Sequence, residues 1–201
     1  MRGWIIMARH LALIGGLTLA LASQSVAPAV AGVQAVAWGV GSGEVVVVCP
    51  LTVGGSFEAR TQSVSGQLAV DPAQPSHLTG EIAVDLKTLD TGIGLRNTHM
   101  RENYLEVSKG DGFDRAVLSE IVVKGDAASV TGATTFAATL LVHGTRKPVS
   151  GQARISRAGA DVRVDASFPV NLPDFGISQP RYLGVGVKDQ VQVKVTFGSA
   201  R

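Results

Sequence analysis

The 201-residue chain is 45% hydrophobic and 17% charged, with a formal charge of +2. That length suits one domain, or two small ones. The slight basic excess is confined to the first residues, so net charge gives no argument for a nucleic-acid or anionic-membrane partner.

The first elements along the chain are those of an export signal. MRGWIIMARH carries Arg2 and Arg9, Leu11 to Ala22 form an apolar run, and SQSVAPAVAG follows with small residues. This is the order of a secretory signal peptide. The run is about twelve residues, short of the roughly 20 that a membrane-spanning helix needs. Ala29-Val30-Ala31 supplies a small-x-small site, which predicts cleavage before Gly32 and a periplasmic or secreted mature protein. Removing Arg2 and Arg9 takes the 18 basic residues to 16, level with the 16 acidic ones, so the mature chain is near neutral. The expected organisation is a signal peptide over 1–31, a tail over 32–40 and one domain over 41–201.

Export favours disulfides, yet Cys49 is the one cysteine, so no bridge can form within the chain. Its setting in VVVVCP predicts a small buried hydrophobe in a strand.

After the tail, period-two alternation dominates. VVVV at 45–48 is followed by SVSGQLAV with Val64, Leu68 and Val70 in phase, and by GEIAVDL with Ile82, Val84 and Leu86. AVLSEIVV (Val117, Ile121, Val123), TFAATLLV (Phe136, Ala138, Leu140, Val142) and GQARIS (Ala153, Ile155) continue the pattern. In DVRVDASFPV the residues Val162, Val164, Ala166, Phe168 and Val170 share one face, and in QVQVKVTF so do Val191, Val193, Val195 and Phe197. These runs predict about eight half-buried antiparallel strands, with turns at DPAQPSH, KGDAAS and RAGAD.

One stretch breaks the alternation. In TLDTGIGLRNTHMRENYLEV, Met100, Tyr104 and Leu105 make a helical apolar face beside Arg96, Arg101 and Glu102. The spacing predicts a single short helix over about 96–106, packed across one end of an all-β barrel or sandwich.

The motifs of common catalytic sites are missing. The sequence has no G-x-S-x-G, no H-E-x-x-H and no G-x-x-x-x-G-K-[ST]. His77, His99 and His143 lack metal-ligand spacing, and DGFDR at 111–115 lacks the ligand pattern of a calcium loop, so no metal site is expected. The inward Val, Leu and Ala residues either fill a core or enclose an apolar lumen, and patterning alone leaves both open.

The order of motifs resembles the YceI-like family of bacterial periplasmic polyisoprenoid-binding proteins. GEIAVDLKTLDTG at 80–92 is similar to that family's strand and Leu-Asp-Thr-Gly turn, and LRNTHMRENYLEV at 95–107 to its helix of Arg-x-x-His-Met type. TFAATLLVHGTRKPVS at 135–150, DFGIS at 174–178 and VKDQVQV at 187–193 resemble later elements of the family in the same order. Two places depart from it: EVVVVCPL lacks the aromatic of the family's first strand, and DGFDRAVLSE replaces a Tyr-Pro.

The resemblance implies an extended antiparallel lipocalin-like β-barrel whose lumen holds an isoprenoid quinone, a polyprenyl chain or a similar long-chain lipid, with no cofactor and no catalytic residue. Within that lumen, inward phase nominates Leu86, Leu89, Met100, Tyr104, Leu105, Phe136, Leu140, Val142, Phe168, Phe175 and Tyr182 as lining residues. Tyr104 and Tyr182 are expected to offer a hydroxyl to a head group. The expected partner is an apolar small molecule, with transient contact to a membrane or envelope proteins; no nucleic acid is expected, and a dimer stays open. The rival readings are an envelope adaptor with a self-filled barrel, and an enzyme using His99 and His143, which requires the two to share a pocket.

Overall fold

The structure, a computed structural model, describes residues 37–182 and 184–200, except the side chains of Tyr182 and Ala200. The expected signal peptide, its cleavage site and the start of the tail lie outside the described residues.

The strands run in chain order β1 (Ala37–Pro50), β2 (Ser56–Thr61), β3 (Val64–Asp71), β4 (Gln74–Asp85), β5 (Arg115–Val123), β6 (Gly132–Val142), β7 (Thr145–Ala158), β8 (Asp161–Asn171), β9 (Arg181–Tyr182), β10 (Val185–Gly186) and β11 (Gln190–Ala200). Each strand of the main sheet pairs antiparallel with its neighbours in the order β11-β8-β7-β6-β5-β4-β3-β1-β2. A further pairing of β11 with β1 closes the sheet into a barrel. Among the described residues, closure leaves no long unpaired edge for another chain to extend.

All eight expected strands are present, and the structure adds β2 and the short β9–β10 hairpin. β2 and β3 lie successively along the same edge of β1: Val45–Pro50 face Ser56–Thr61, and Ala37–Gly39 face Gln67–Ala69. Together they form one path that breaks at Gln62-Ser63. Gly43 of β1 lies beside this break, where a Cβ would come 2.9 Å from Val64 Cβ. β1 begins at Ala37, so residues 37–40 are strand rather than tail, and Trp38 supplies the aromatic missing from EVVVVCPL.

Two irregularities decide which residues face inward. In β1 the pairing with β11 shifts between Val40 and Ser42, so Trp38 and Val40 face inward before it and Val45, Val47 and Cys49 after it. In β5 the shift lies between Ser119 and Val122, with Glu120 at φ 52°. One extra residue reverses the facing of everything beyond it. The inward residues of β5 are therefore Ala116, Leu118, Ile121 and Val123, and Val117, expected in phase, is buried without facing the lumen.

Two further boundaries differ from expectation. DPAQPSH is mostly strand, because β4 starts at Gln74 and Pro75 sits near its start, where a missing N–H costs little. GEIAVDL ends as a strand at Asp85, whose carboxylate accepts from the Lys87 N–H at 2.9 Å and starts a 3₁₀ turn over Leu86–Thr88.

The two ends of the barrel are unlike. The far end holds the β3–β4, β5–β6 and β7–β8 connections; the near end holds β1–β2, β6–β7 and the two long excursions 86–114 and 172–189. The expected helix lies in the first excursion as α1 (Gly94–Thr98), continued by wider turns over His99–Tyr104 in which the Leu105 N–H reaches the Met100 carbonyl. Phe136 and Phe168 meet edge to face inside the barrel, with ring centroids 5.8 Å apart. Such a pair adds about 0.5–1.5 kcal/mol beyond burial. Gly151 makes the approach possible: a Cβ there would overlap the Ser167 carbonyl and stand 2.7 Å from Phe168 Cβ.

Candidate functional site in the barrel lumen

The inward faces do not close on one another. They enclose a cavity of about 830 Å³, in the upper part of the roughly 300–1,000 Å³ range of small-molecule sites. The alternating faces of β8 and β11 line it along their length, from Val162 to Val170 and from Val191 to Ser199. Its charged lining residues are Arg96, Arg157 and Arg181, and no Asp or Glu lines it among the described residues.

The ends of the lumen are built differently. At the far end Trp38 lies under the Arg157 guanidinium, 5.5 Å from its ring centroid. Arg157 donates to the Ala127 and Val130 carbonyls at 2.9 and 3.3 Å, which ties this plug to the β5–β6 connection.

At the near end the segment 88–107 frames a mouth, and most of its polar groups hold backbone. The Asp90 carboxylate accepts from the Gly92 N–H and from Asn97 Nδ2, at 2.9 and 2.6 Å. These bonds hold the Asp90 carboxyl below the usual range. Asn97 Oδ1 in turn accepts from the Thr91 N–H at 2.8 Å. Arg101 donates through Nε and Nη2 to the Leu89 carbonyl, drawing the wider turns back onto the 3₁₀ turn. The Tyr104 hydroxyl accepts from the Arg181 N–H at 3.1 Å, which pins the same segment to β9. Arg96 is directed elsewhere: it stacks on Phe57 of β2, 4.3 Å from the ring centroid.

Of the expected lining residues, Leu86, Leu89, Met100, Tyr104, Leu105, Phe136, Leu140, Val142 and Phe168 line the cavity. Phe175 does not: it is 2% exposed and packs in the core at the turn Leu172–Phe175. The Tyr182 side chain lies outside the described part of the structure. Five further residues line the cavity: Trp38 lies in what the sequence presents as tail, Phe57 in the short β2, Leu118 beyond reach of simple phase because of the β5 bulge, and Ile93 and Leu95 at the lip.

The two histidines of the enzyme reading part company. His99 lines the lumen. His143, at φ 51° before Gly144, turns away from it. Its Nδ1 donates to the Phe175 carbonyl at 3.0 Å, its Nε2 meets the Glu106 carboxylate at 2.9 Å, and Phe113 packs edge-on at 4.8 Å. His143 thus joins the β6–β7 turn to both near-end excursions. Glu106 also pairs with Lys109 at 2.7 Å, and Lys109 together with His143 holds its carboxyl below the usual range. Cys49 faces the lumen; burial pushes its thiol up to about 11, against the opposing charge of Arg96.

The fold recurs in solved structures. BcnA of Burkholderia cenocepacia is 17% identical, with a TM-score of 0.62 over 79% of this chain and 96% of that one. A polyisoprenoid binding domain from Saccharophagus degradans implicated in plant cell wall breakdown is 17% identical, with a TM-score of 0.61 over 81% of this chain and 97% of that one. Curated proteins offer no match to the sequence. The family model for the YceI-like domain matches residues 38–198. That match takes in the whole barrel except its first residue and its last two, and the chain belongs to the YceI-like family.

Proposed function

We propose that this chain is a noncatalytic carrier that holds a polyisoprenoid, an isoprenoid quinone or a similar long-chain amphiphile inside the barrel. The observation that carries the reading is the open lumen of about 830 Å³, lined mostly by aliphatic and aromatic side chains and, among the described residues, by no carboxylate. Such a surface binds by dispersion and by release of water, at up to about 0.8 kcal/mol for each buried CH₂. The solved domain from Saccharophagus degradans, described as polyisoprenoid binding, supports the same ligand class. An adaptor with a self-filled barrel fits less well, because its inward side chains would meet. An enzyme using His99 and His143 lacks a common pocket for the two.

The signal-peptide pattern of residues 1–31 supports action in the periplasm or outside the cell. Solvent extraction of natively purified protein, followed by mass spectrometry, tests the reading. One long-chain lipid per chain is the expected result, and repeated extraction of none would overturn it. N-terminal sequencing of the exported protein tests the processing step, with Gly32 expected first.

A further inference from the structure

The exposed large apolar side chains among the described residues are Val53, Ile93 and Leu95, at 70, 49 and 58% exposure. They come from two separate segments, yet all three stand at the near end. Val53 is at the tip of the β1–β2 turn, whose Thr52 N–H donates to the Gly186 carbonyl at 2.9 Å beside the β9–β10 hairpin. Ile93 caps α1 and Leu95 lies in its first turn, and both line the lumen, so apolar surface runs from the cavity over its lip to solvent. The charged side chains that line this mouth are Arg96 and Arg181, and neither pairs with a carboxylate among the described residues; Asp90 and Glu102 stand exposed on the same segment without lining the lumen. Among the described residues the far end has no such rim, and there Arg157 lies over Trp38.

We infer that this rim docks the mouth onto the surface of an anionic phospholipid bilayer, so that lipid passes between membrane and lumen without crossing water. Three apolar tips are too few for a stable protein partner or a second copy, whose interfaces take roughly 20–30 residues a side. They do suit shallow insertion at the level of the head groups, where cationic side chains meet anionic lipid. The route matters kinetically, because each methylene drawn through open water would slow transfer about fourfold. This purpose rests on the proposed lipid-binding function, but docking itself is measured separately.

The test uses the full mature chain, vesicles of phosphatidylcholine with or without phosphatidylglycerol, and a pyrene-labelled polyprenol as probe. Vesicle co-sedimentation reads docking, and probe movement from protein to acceptor vesicles reads transfer. The wild type is expected to sediment with the mixed vesicles and to transfer at a rate that rises with acceptor concentration, as contact requires. The double variant Ile93→Ser/Leu95→Ser should lower both readouts by roughly tenfold, and Arg96→Gln and Arg181→Gln should each weaken the anionic preference by roughly fivefold. Val53→Ser changes an exposed tip outside the lumen, so it should lower both readouts by roughly threefold while probe occupancy at equilibrium stays as in the wild type.

A transfer rate independent of acceptor concentration, or variants that sediment and transfer like the wild type, would overturn the inference. So would loss in Ile93→Ser/Leu95→Ser of a concentration-dependent rise in mass by light scattering, with no vesicle binding by the wild type, since the rim would then join two copies. If no form takes up the probe while the rim-dependent sedimentation persists, docking stands and the carrier function falls.

Discussion

Leu140 and Leu141 are adjacent in β6 and face opposite ways: Leu140 lines the lumen at 7% exposure, whereas Leu141 does not line it. Arginine at each position therefore isolates the effect of facing from that of composition. A ligand of about forty heavy atoms at roughly −0.3 kcal/mol per atom binds with about −12 kcal/mol, a nanomolar affinity. In Leu140→Arg the added chain occupies the passage, whether its guanidinium stays in the lumen or extends toward the mouth. Displacing one five-carbon isoprene unit from apolar contact removes about 4 kcal/mol at 0.8 per carbon, or roughly three decades of affinity. Leu140→Arg should thus shift binding to the micromolar range and yield protein empty of lipid, and Leu141→Arg should retain it. The assay is extraction and mass spectrometry on natively purified variants, with displacement of a fluorescent polyprenol for affinity and thermal unfolding to confirm the fold. Equal retention by folded Leu140→Arg and wild type would refute the assignment of the lumen as the binding site.

Further outcomes follow from single groups. With its thiol pushed up to about 11 from 9, Cys49 should react with a maleimide about a hundredfold more slowly at neutral pH than an ordinary thiol, and faster as pH rises. The same raised value means that the stability tied to the neutral thiol is complete below about 9 and lost as pH climbs through about 11, seen as a falling melting temperature that Cys49→Ala lacks. The Glu106 carboxyl, held low by Lys109 and His143, contributes stability present above the ordinary carboxylate range and lost as pH falls through its lowered value. The gap in melting temperature between wild type and Glu106→Gln should therefore be widest near neutrality and close in acid. Gly151→Ala puts a methyl against Phe168 Cβ and the Ser167 carbonyl; urea unfolding should show a loss of about 1–3 kcal/mol.

Period-two alternation made the barrel walls legible wherever strands ran without interruption. In β8 and β11 every expected inward residue faces the lumen, because each strand keeps one register with its neighbour throughout the alternating run. The signal failed where one residue was inserted. At Gly41 and at Glu120 the pattern changes phase, and a single strand's sequence does not record which neighbour it slips against. β2 escaped because SFEART offers only Phe57 and Ala59 as inward apolar residues, too short a run to stand out. Phe175 is expected inward by phase, yet it ends a 3₁₀ turn that packs its ring in the core while its own carbonyl accepts from His143. The lip residues Ile93 and Leu95 belong to no periodic run; only the excursion's position over the mouth gives them meaning.

The same position explains why so polar a segment frames so apolar a site. A loop crossing an open barrel end cannot satisfy its backbone through a sheet ladder, so side chains must supply the partners. Asp90, Asn97 and Arg101 do this at successive points, with Tyr104 bonding across to β9. His143 fastens the far side of the segment through Glu106, while its other nitrogen holds the Phe175 carbonyl of the second excursion. What resembles an Arg/His constellation in sequence is therefore, in space, a set of backbone clamps around an opening. Each clamp spends its polar atoms on the frame, which leaves aliphatic walls and an arginine rim as the surface a ligand meets. Under the proposed carrier function, a mouth held in this way would keep its shape as lipid enters and leaves, and exchange would depend on what the rim touches outside the barrel more than on movement of the frame.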